Sequence, residues 1–485
     1  MFSNLKTVLK DLGSILVIVG LLMLVLIIVS SFFKEFYVVH VLLLTAAFTL
    51  CIGLVCRFSC MNAKEPELKH AMITAALAWL IIPAISAIFF IFIEGMSSLD
   101  SLFEAMSGWT GTGLTMVAHP SSLTHTMQFW RSFMQWVGGV GVIVLMVTIL
   151  ARPGTGSFLL YKAEAREGKI RPSVVSTVRI IWWIYLLLTS IGIALFYFAG
   201  MSPWEAINHG MTALGTGGFT VTDNSMAVYK NPLIEVAIIP MMILGAIPFL
   251  VHYKVLRGHL RAFVTDMQCK ALFVILLVLL TALCIENYTT SYDSIWGALR
   301  FSSFQLVSGL TCTGFQTADV HLWSGRAIGI VGIAMLIGGG AGSTAGGVKL
   351  IRAVTLWKGV NWSLTKAFLP KRAIKPFRFG EKLLDDEEVN SIESEANLII
   401  ILWILFLLLG VGVLSYVVAP GFTLSEVIFE VVSAQSNVGL STGITNAGMS
   451  SVGKVMLILN MWIGRLEIIP VLMLLRALIK GFEPL

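Results

Sequence analysis

Leu310-Thr311-Cys312-Thr313-Gly314-Phe315-Gln316-Thr317 decides how this chain is read, because altered copies of it stand at three other places. Aligned on the glycine, they are Thr110-Gly111-Thr112-Gly113-Leu114-Thr115, Gly215-Thr216-Gly217-Gly218-Phe219-Thr220 and Ser436-Asn437-Val438-Gly439-Leu440-Ser441. Three mostly small residues precede the glycine; Leu or Phe and then a polar residue follow it. Six positions before each glycine stands a hydroxyl residue (Ser107, Thr212, Ser308, Ser433), followed by a small one (Gly108, Ala213, Gly309, Ala434). The copies lie about 95 to 125 residues apart, which makes a fourfold internal repeat and not a short-period solenoid.

Working outward, composition sets the solvent. With 57% hydrophobic and 12% charged residues, the chain is far from a soluble domain, where about a quarter of residues are charged. It reads as an all-α polytopic membrane protein whose partner is the lipid bilayer. The net charge of +6 does not point to nucleic acid, because the basic residues are spread through short loops, where membrane topology accounts for them. Cysteines such as Cys51, Cys56 and Cys284 lie in apolar runs and read as small packing residues. Lys6 and Lys10 precede the first apolar run and no small-residue cleavage site follows it, so it reads as a retained span.

Two runs, Leu12 to Phe33 and Val38 to Cys56, are long enough to cross a hydrocarbon core and precede the repeats. Each repeat then has an apolar run, a short polar-tinged element, the glycine loop and a second run. The divisions are 1–67 for the N-terminal pair, 68–172, 173–268 and 269–390 for the first three repeats, the third including a cytoplasmic linker, and 391–485 for the fourth. The short elements (98–109, 203–214, 294–310, 424–435) cannot span and fit re-entrant half-helices. Non-helical backbone leaving them must face protein or water, a condition four loops meet by converging on one axis. The second runs are expected at 129–150, 233–255, 327–356 and 455–479. Basic residues (Arg57, Lys64, Lys69; Arg152, Lys162, Arg166, Lys169, Arg171; Lys254, Arg257, Arg261; Lys358 to Lys382) fall on one side if about ten helices span, placing both termini in the cytoplasm. The linker from Lys358 to Asn397 reads either as a solvated connection or as a docking surface.

Rings of backbone carbonyls can replace the hydration shell of a cation. Glycine reaches the backbone conformations that aim successive carbonyls at one axis, and the C-terminal end of each short helix adds partial negative charge. No Asp or Glu stands beside the four glycines, which disfavours a carboxylate ring for divalent ions. Asp223 and Asp319 are either outer-mouth charges or ordinary surface carboxylates. Glu104, His209, Gln305 and Glu430, nine positions before their glycines, are read as backing the loops. Asn287-Tyr288-Thr289 matches a glycosylation acceptor but carries little weight.

These features resemble the Trk/Ktr/HKT superfamily of potassium transporters, and the extra N-terminal pair resembles its TrkH branch. The resemblance implies four helix/pore-helix/helix repeats with pseudo-fourfold symmetry around one pore, with K+ bound in the filter. The filter set would be Thr110, Gly111, Thr112 and Gly113; Gly215, Thr216, Gly217 and Gly218; Thr311, Cys312, Thr313 and Gly314; and Ser436, Asn437, Val438 and Gly439. It further implies a homodimer in the bacterial inner membrane and a cytosolic regulatory subunit, TrkA, through which alone nucleotide acts. Glycine at position 113, where serine accompanies sodium transport in plant members, favours potassium.

The run Ile337 to Lys349 places Gly338, Gly339, Gly340, Gly342, Gly346 and Gly347, with Ser343 and Thr344, inside an expected span. Glycine costs a helix about 1 kcal/mol relative to alanine, so this segment is expected to be unwound. It is not a phosphate-cradling loop, since Val348 occupies the lysine position. It either serves close helix packing or crosses the pore as a gate, the role the resemblance implies. Arg465, in the apolar run 455–479, is either salt-bridged to Glu467 or another carboxylate or stands in the ion path and opposes cations, since intramembrane charges face interiors or cavities. A coupled potassium symporter is the alternative reading. No converged nucleophile, paired carboxylates or metal-ligand set suggests an enzyme.

Overall fold

The computed structural model describes residues 2–64, 66–150, 174–368, 370, 377–379, 382–384 and 386–481. Arg152, Lys162, Arg166, Lys169 and Arg171, and Lys371, Arg372, Lys375, Glu381 and Asp385 of the linker, lie outside the described residues. Apart from a hairpin pairing Phe377–Phe379 with Lys382–Leu384 in that linker, the regular structure among the described residues is helical. Helices α1 (Phe2–Met23), α2 (Val25–Phe32) and α3 (Val39–Ser59) form the N-terminal element. There α1 and α3 approach closely at small residues: a Cβ on Gly13 would stand 2.7 Å from the Gly53 carbonyl oxygen. Small residues of this kind let helices associate in lipid by van der Waals contact.

The first repeat comprises α4 (Leu68–Glu94), the pore helix α5 (Ser98–Thr110) and α6 (His125–Leu150); the second, α7 (Val174–Phe198), the pore helix α8 (Pro203–Leu214), α9 (Pro232–Ala246) and α10 (Phe249–Leu256). After a short turn α11 (Ala262–Thr265) come α12 (Met267–Thr290), the pore helix α13 (Ile295–Leu310), α14 (Gly325–Ile337) and α15 (Leu350–Phe368). The fourth repeat has α16 (Asp386–Val417), the pore helix α17 (Leu424–Gln435), α18 (Ser451–Leu466) and α19 (Ile469–Lys480). Among the described residues six helices are long and apolar enough to cross a membrane, or up to 8 if each bent pair counts as one span.

The pore helices start where the sequence caps them. Ser97 accepts from the Asp100 N–H, Ser202 forms a capping box with Glu205 ahead of Pro203, and Thr423 does so with Glu426. Such caps satisfy amides the first turn leaves open. Their last turns are buried, so all four run from the surface into the protein interior.

Three expected spans are broken. The run 233–255 bends by 105° between α9 and α10, and 455–479 by 110° between α18 and α19. The run 327–356 stops at Ile337 and resumes at Leu350. At the first break Pro248 has no N–H to continue the ladder, and the carbonyls left open at Gly245 and Ala246 are taken by Thr344 and Gly340 of the glycine-rich segment (3.2 and 2.9 Å). At the second, Glu467 and Ile468 both adopt positive φ (58° and 69°). Hydropathy reads through such breaks because the residues on both sides stay apolar.

Close backbone approach recurs where α18 crosses the end of α17: a Cβ on Gly464 would collide with the Gln435 carbonyl. Gly464→Ala is therefore expected to destabilise the protein by about 1–3 kcal/mol, read as a lower melting temperature in detergent.

Candidate functional site

Each pore helix ends in the same way. The N–H two residues before the repeat glycine returns to position −5: Gly111 to Gly108, Thr216 to Ala213, Cys312 to Gly309, Asn437 to Ala434 (3.1–3.2 Å). The next N–H returns to the carbonyl of the hydroxyl residue at −6: Thr112 to Ser107, Gly217 to Thr212, Thr313 to Ser308, Val438 to Ser433, all 2.9 Å. This is a Schellman ending. It puts positive φ on Gly111, Thr216, Cys312 and Asn437 (64°, 48°, 56°, 55°) and again on Gly113, Gly218, Gly314 and Gly439 (95°, 77°, 85°, 98°). In the first and fourth repeats the Ser107 and Ser433 hydroxyls also accept from the glycine N–H, at 3.0 and 3.1 Å.

The four loops close on one another. A Cβ on Gly113 would run into the Gly217 carbonyl oxygen, one on Gly218 into that of Thr313, one on Gly314 into that of Val438, and one on Gly439 into that of Thr112. Repeats 1, 2, 3 and 4 thus follow in cyclic order, with glycines and carbonyls alternating around a single ring. No side chain larger than hydrogen fits at any of the four positions without displacing a neighbouring loop.

The residues nine positions before the glycines hold the loops from behind. Glu104, His209, Gln305 and Glu430 each accept from the N–H three past the glycine: Met116 (2.8 Å), Val221 (3.3 Å), Thr317 (3.0 Å) and Thr442 (3.0 Å). Sequence reasoning places α6 but misses its polar side chains. Its Arg131, buried, pairs with Glu104 (2.8 Å), donates to the Thr220 carbonyl (2.9 Å) and lies over the Phe219 ring, joining the first loop to the second. One turn on, Gln135 bonds Gly217 and Phe219. Two strongly polar residues four apart in an apolar helix, followed by Gly138-Gly139, were a visible signal, since i and i+4 share a face.

Outside the ring, Asp223 and Asp319 do not stand free. Asp223 accepts from the Ser121 N–H (2.9 Å) and lies 3.6 Å from His119, and the Ser121 bonds hold its carboxyl below the usual range. Asp319 caps a short turn at His321 (3.0 Å). Asn287 is buried against Ser302, which removes it as a glycan acceptor.

The segment 338–349 is unwound, with positive φ at Gly338, Gly342, Gly347 and Lys349. It folds back on itself, Gly338 against Gly346 and Gly347, while Gly339 and Gly340 pack on Ala246 and Pro248. Gly342 accepts from Phe249 (3.0 Å), and Ser343 donates to Gly340 (2.6 Å). At the inner end of the ring, Thr344 Oγ1 donates to the Leu214 carbonyl (2.9 Å), and the Gly347 N–H to that of Ser436 (3.0 Å). Arg465 donates to the carbonyls of Thr344 (3.0 Å) and Gly138 (3.1 Å), and its Nη2 would lie 3.7 Å from a Cβ on Gly111. Among the described residues it bonds no carboxylate; Glu467 instead pairs with Lys349 (2.9 Å) and Arg352.

A ring of glycines and backbone carbonyls inside a fourfold set of half-length helices, with an unwound glycine-rich segment and the buried Arg465 of α18 at its inner end, defines a multi-pass membrane protein of fourfold repeat architecture. A family model described as "TrkH: Cation transport protein" matches residues 39–480, and the chain belongs to that family. It is 36% identical over 478 residues to an uncharacterized cation transporter of Methanocaldococcus jannaschii, covering 98% of this chain and 96% of that one. It is 30% identical to the Trk system potassium uptake protein TrkH of Escherichia coli, covering 85% and 87%. The crystal structure of the potassium transporter TrkH from Vibrio parahaemolyticus superposes with a TM-score of 0.85 at 26% identity, covering 97% of this chain and 98% of that one.

Arg131→Leu leaves Glu104 buried without its cation, a change that costs about 3–5 kcal/mol. Thermal unfolding in detergent is expected to drop accordingly, and adding Glu104→Gln is expected to restore part of the loss.

Proposed function

We propose that the chain mediates potassium uptake across the inner membrane of a bacterial cell through a gated pore. A dehydrated K+ is held by the carbonyls and hydroxyls of Thr110 to Gly113, Gly215 to Gly218, Thr311 to Gly314 and Ser436 to Gly439. The observation that carries this reading is the cyclic closure of the four loops, glycine against carbonyl. It supplies neutral oxygen ligands from four sides with no carboxylate in the ring, which suits a monovalent cation. The names of the bacterial relatives point to the same ion.

In this reading Gly338 to Gly347 and Arg465 form the gate. The guanidinium beneath the ring opposes a cation electrostatically, and the loop's bonds to Leu214 and Ser436 close the inner end. The protein works as a homodimer with both termini in the cytoplasm, controlled by a nucleotide-binding cytosolic subunit that docks on basic loops such as Lys254 to Arg261. Coupled symport with protons or sodium is the second reading, favoured by the two sharply bent helix pairs, because discontinuous helices are common in secondary transporters.

Potassium and sodium flux in proteoliposomes tests these points. Arg465→Ala is expected to raise potassium flux severalfold, since about one charge–ion repulsion is removed from a low-dielectric path; unchanged flux in a folded variant removes the gate role. Gly113→Ser is expected to lower the potassium-to-sodium ratio, and an unaltered ratio counts against the filter. Flux that requires a proton or sodium gradient would select symport.

A further inference from the structure

We infer that Gln135 is a selectivity-determining residue: its side-chain amide clamps the second loop across Gly218 and so governs how well the ring separates a larger from a smaller alkali cation. The inference rests on the filter reading proposed above.

Gln135 is fully buried on α6 and uses both ends of its amide on one loop. Nε2 donates to the Gly217 carbonyl at 2.6 Å, and Oε1 accepts from the Phe219 N–H at 3.0 Å. The two bonds bracket Gly218. The fit leaves no slack, since a Cβ on Gly217 would collide with the carboxamide and stand 2.8 Å from Gln135 Cβ.

The four carbonyls that alternate with the ring glycines belong to Thr112, Gly217, Thr313 and Val438. Among the described residues only Gly217's accepts a hydrogen bond, and it comes from Gln135. The first and fourth loops are tied at the glycine N–H by Ser107 and Ser433, which leaves their carbonyls unengaged. The ring therefore has one oxygen fixed from behind and partly neutralised by a donor, beside three that are not. A smaller dehydrated ion gains by drawing oxygens inward and by meeting a stronger field. An oxygen that can do neither penalises sodium more than potassium.

The test uses the full chain, purified, with Gln135→Met, which removes both bonds, and Gln135→Glu, which keeps an acceptor for Phe219 but loses the donor to Gly217. The readout is the ratio of sodium to potassium concentrations giving half-maximal thermal stabilisation, which follows ion affinity by mass action. Competition by the same ions against rubidium uptake in proteoliposomes is the second readout. Both variants are expected to lower the ratio about three- to tenfold, the worth of one hydrogen bond. A lower melting temperature with an unchanged ratio would make Gln135 merely structural and overturn the inference. If Gln135→Met yields no monodisperse protein, Gln135→Glu decides alone. Gly113→Ser in the same assay separates the two claims: if it shifts the ratio and the Gln135 variants do not, the filter stands and the clamp falls. If none shifts it, the filter reading falls as well.

Discussion

Everything in this fold answers to one constraint: irregular backbone cannot be left at membrane depth unless protein or water satisfies its polar groups. Four loops that turn their carbonyls toward an axis leave their N–H groups pointing back into the protein, where each must find an acceptor. The acceptors come at fixed offsets. The helix end itself takes the N–H groups at −2 and −1, and the side chain at −9 takes the one at +3. That is why a carboxylate, an imidazole and an amide can occupy the same register position: each offers one acceptor in the same place. The repeat conserves a hydrogen-bonding role where it does not conserve a residue.

The fourfold symmetry stops at α6. Arg131, Gln135, Gly138 and Gly139 descend one face of this helix and meet, in turn, the second loop beyond its glycine, the second loop at its glycine, Arg465, and the backbone of Gly215. One rigid element thus touches the ring along its height and the arginine beneath it. A helix is stiff along its axis, so a displacement of Arg465 is felt at Gly138, one turn from the side chain that holds Gly217. The ring and the segment below it are mechanically adjacent through repeat 1 as well as through repeat 4, where Gly347 bonds Ser436.

The fold was largely legible because it repeats: four glycine motifs, four short polar-tinged elements and the flanking apolar runs located every re-entrant element to within a residue or two. The ring was legible for the same reason. The sharp bends were not. Hydropathy averages over a break when Ala246 and Phe249, or Leu466 and Ile469, are apolar on either side of it. The left-handed residue at −2 was equally hidden, because three of its four occupants are Thr216, Cys312 and Asn437 instead of glycine. The Schellman bonds stabilise that conformation enough for residues with a Cβ to hold it. Glu467 was weighed as a partner for the nearby Arg465, but left-handed backbone at the bend turns its carboxylate toward Lys349 and Arg352.

The glycine-rich segment is anchored differently along its length. Its glycines contribute almost no side-chain packing, so hydrogen bonds hold it. Three of these face the ring: Gly347 to Ser436, Thr344 to Leu214, and Arg465 to Thr344. At about 0.5–1.5 kcal/mol net for a neutral bond and about 1.5–3 for the charged one, they contribute about 2.5–6 kcal/mol together. The far end differs. Lys349 and Arg352 both engage Glu467, and breaking a buried ion pair costs about 3–5 kcal/mol. The segment is therefore held by neutral bonds to the ring and to α9 and α10, and by a charged network where it meets the bend between α18 and α19. The lysine that ends the glycine run thus ties it to that bend, and its positive φ marks where the chain turns into α15.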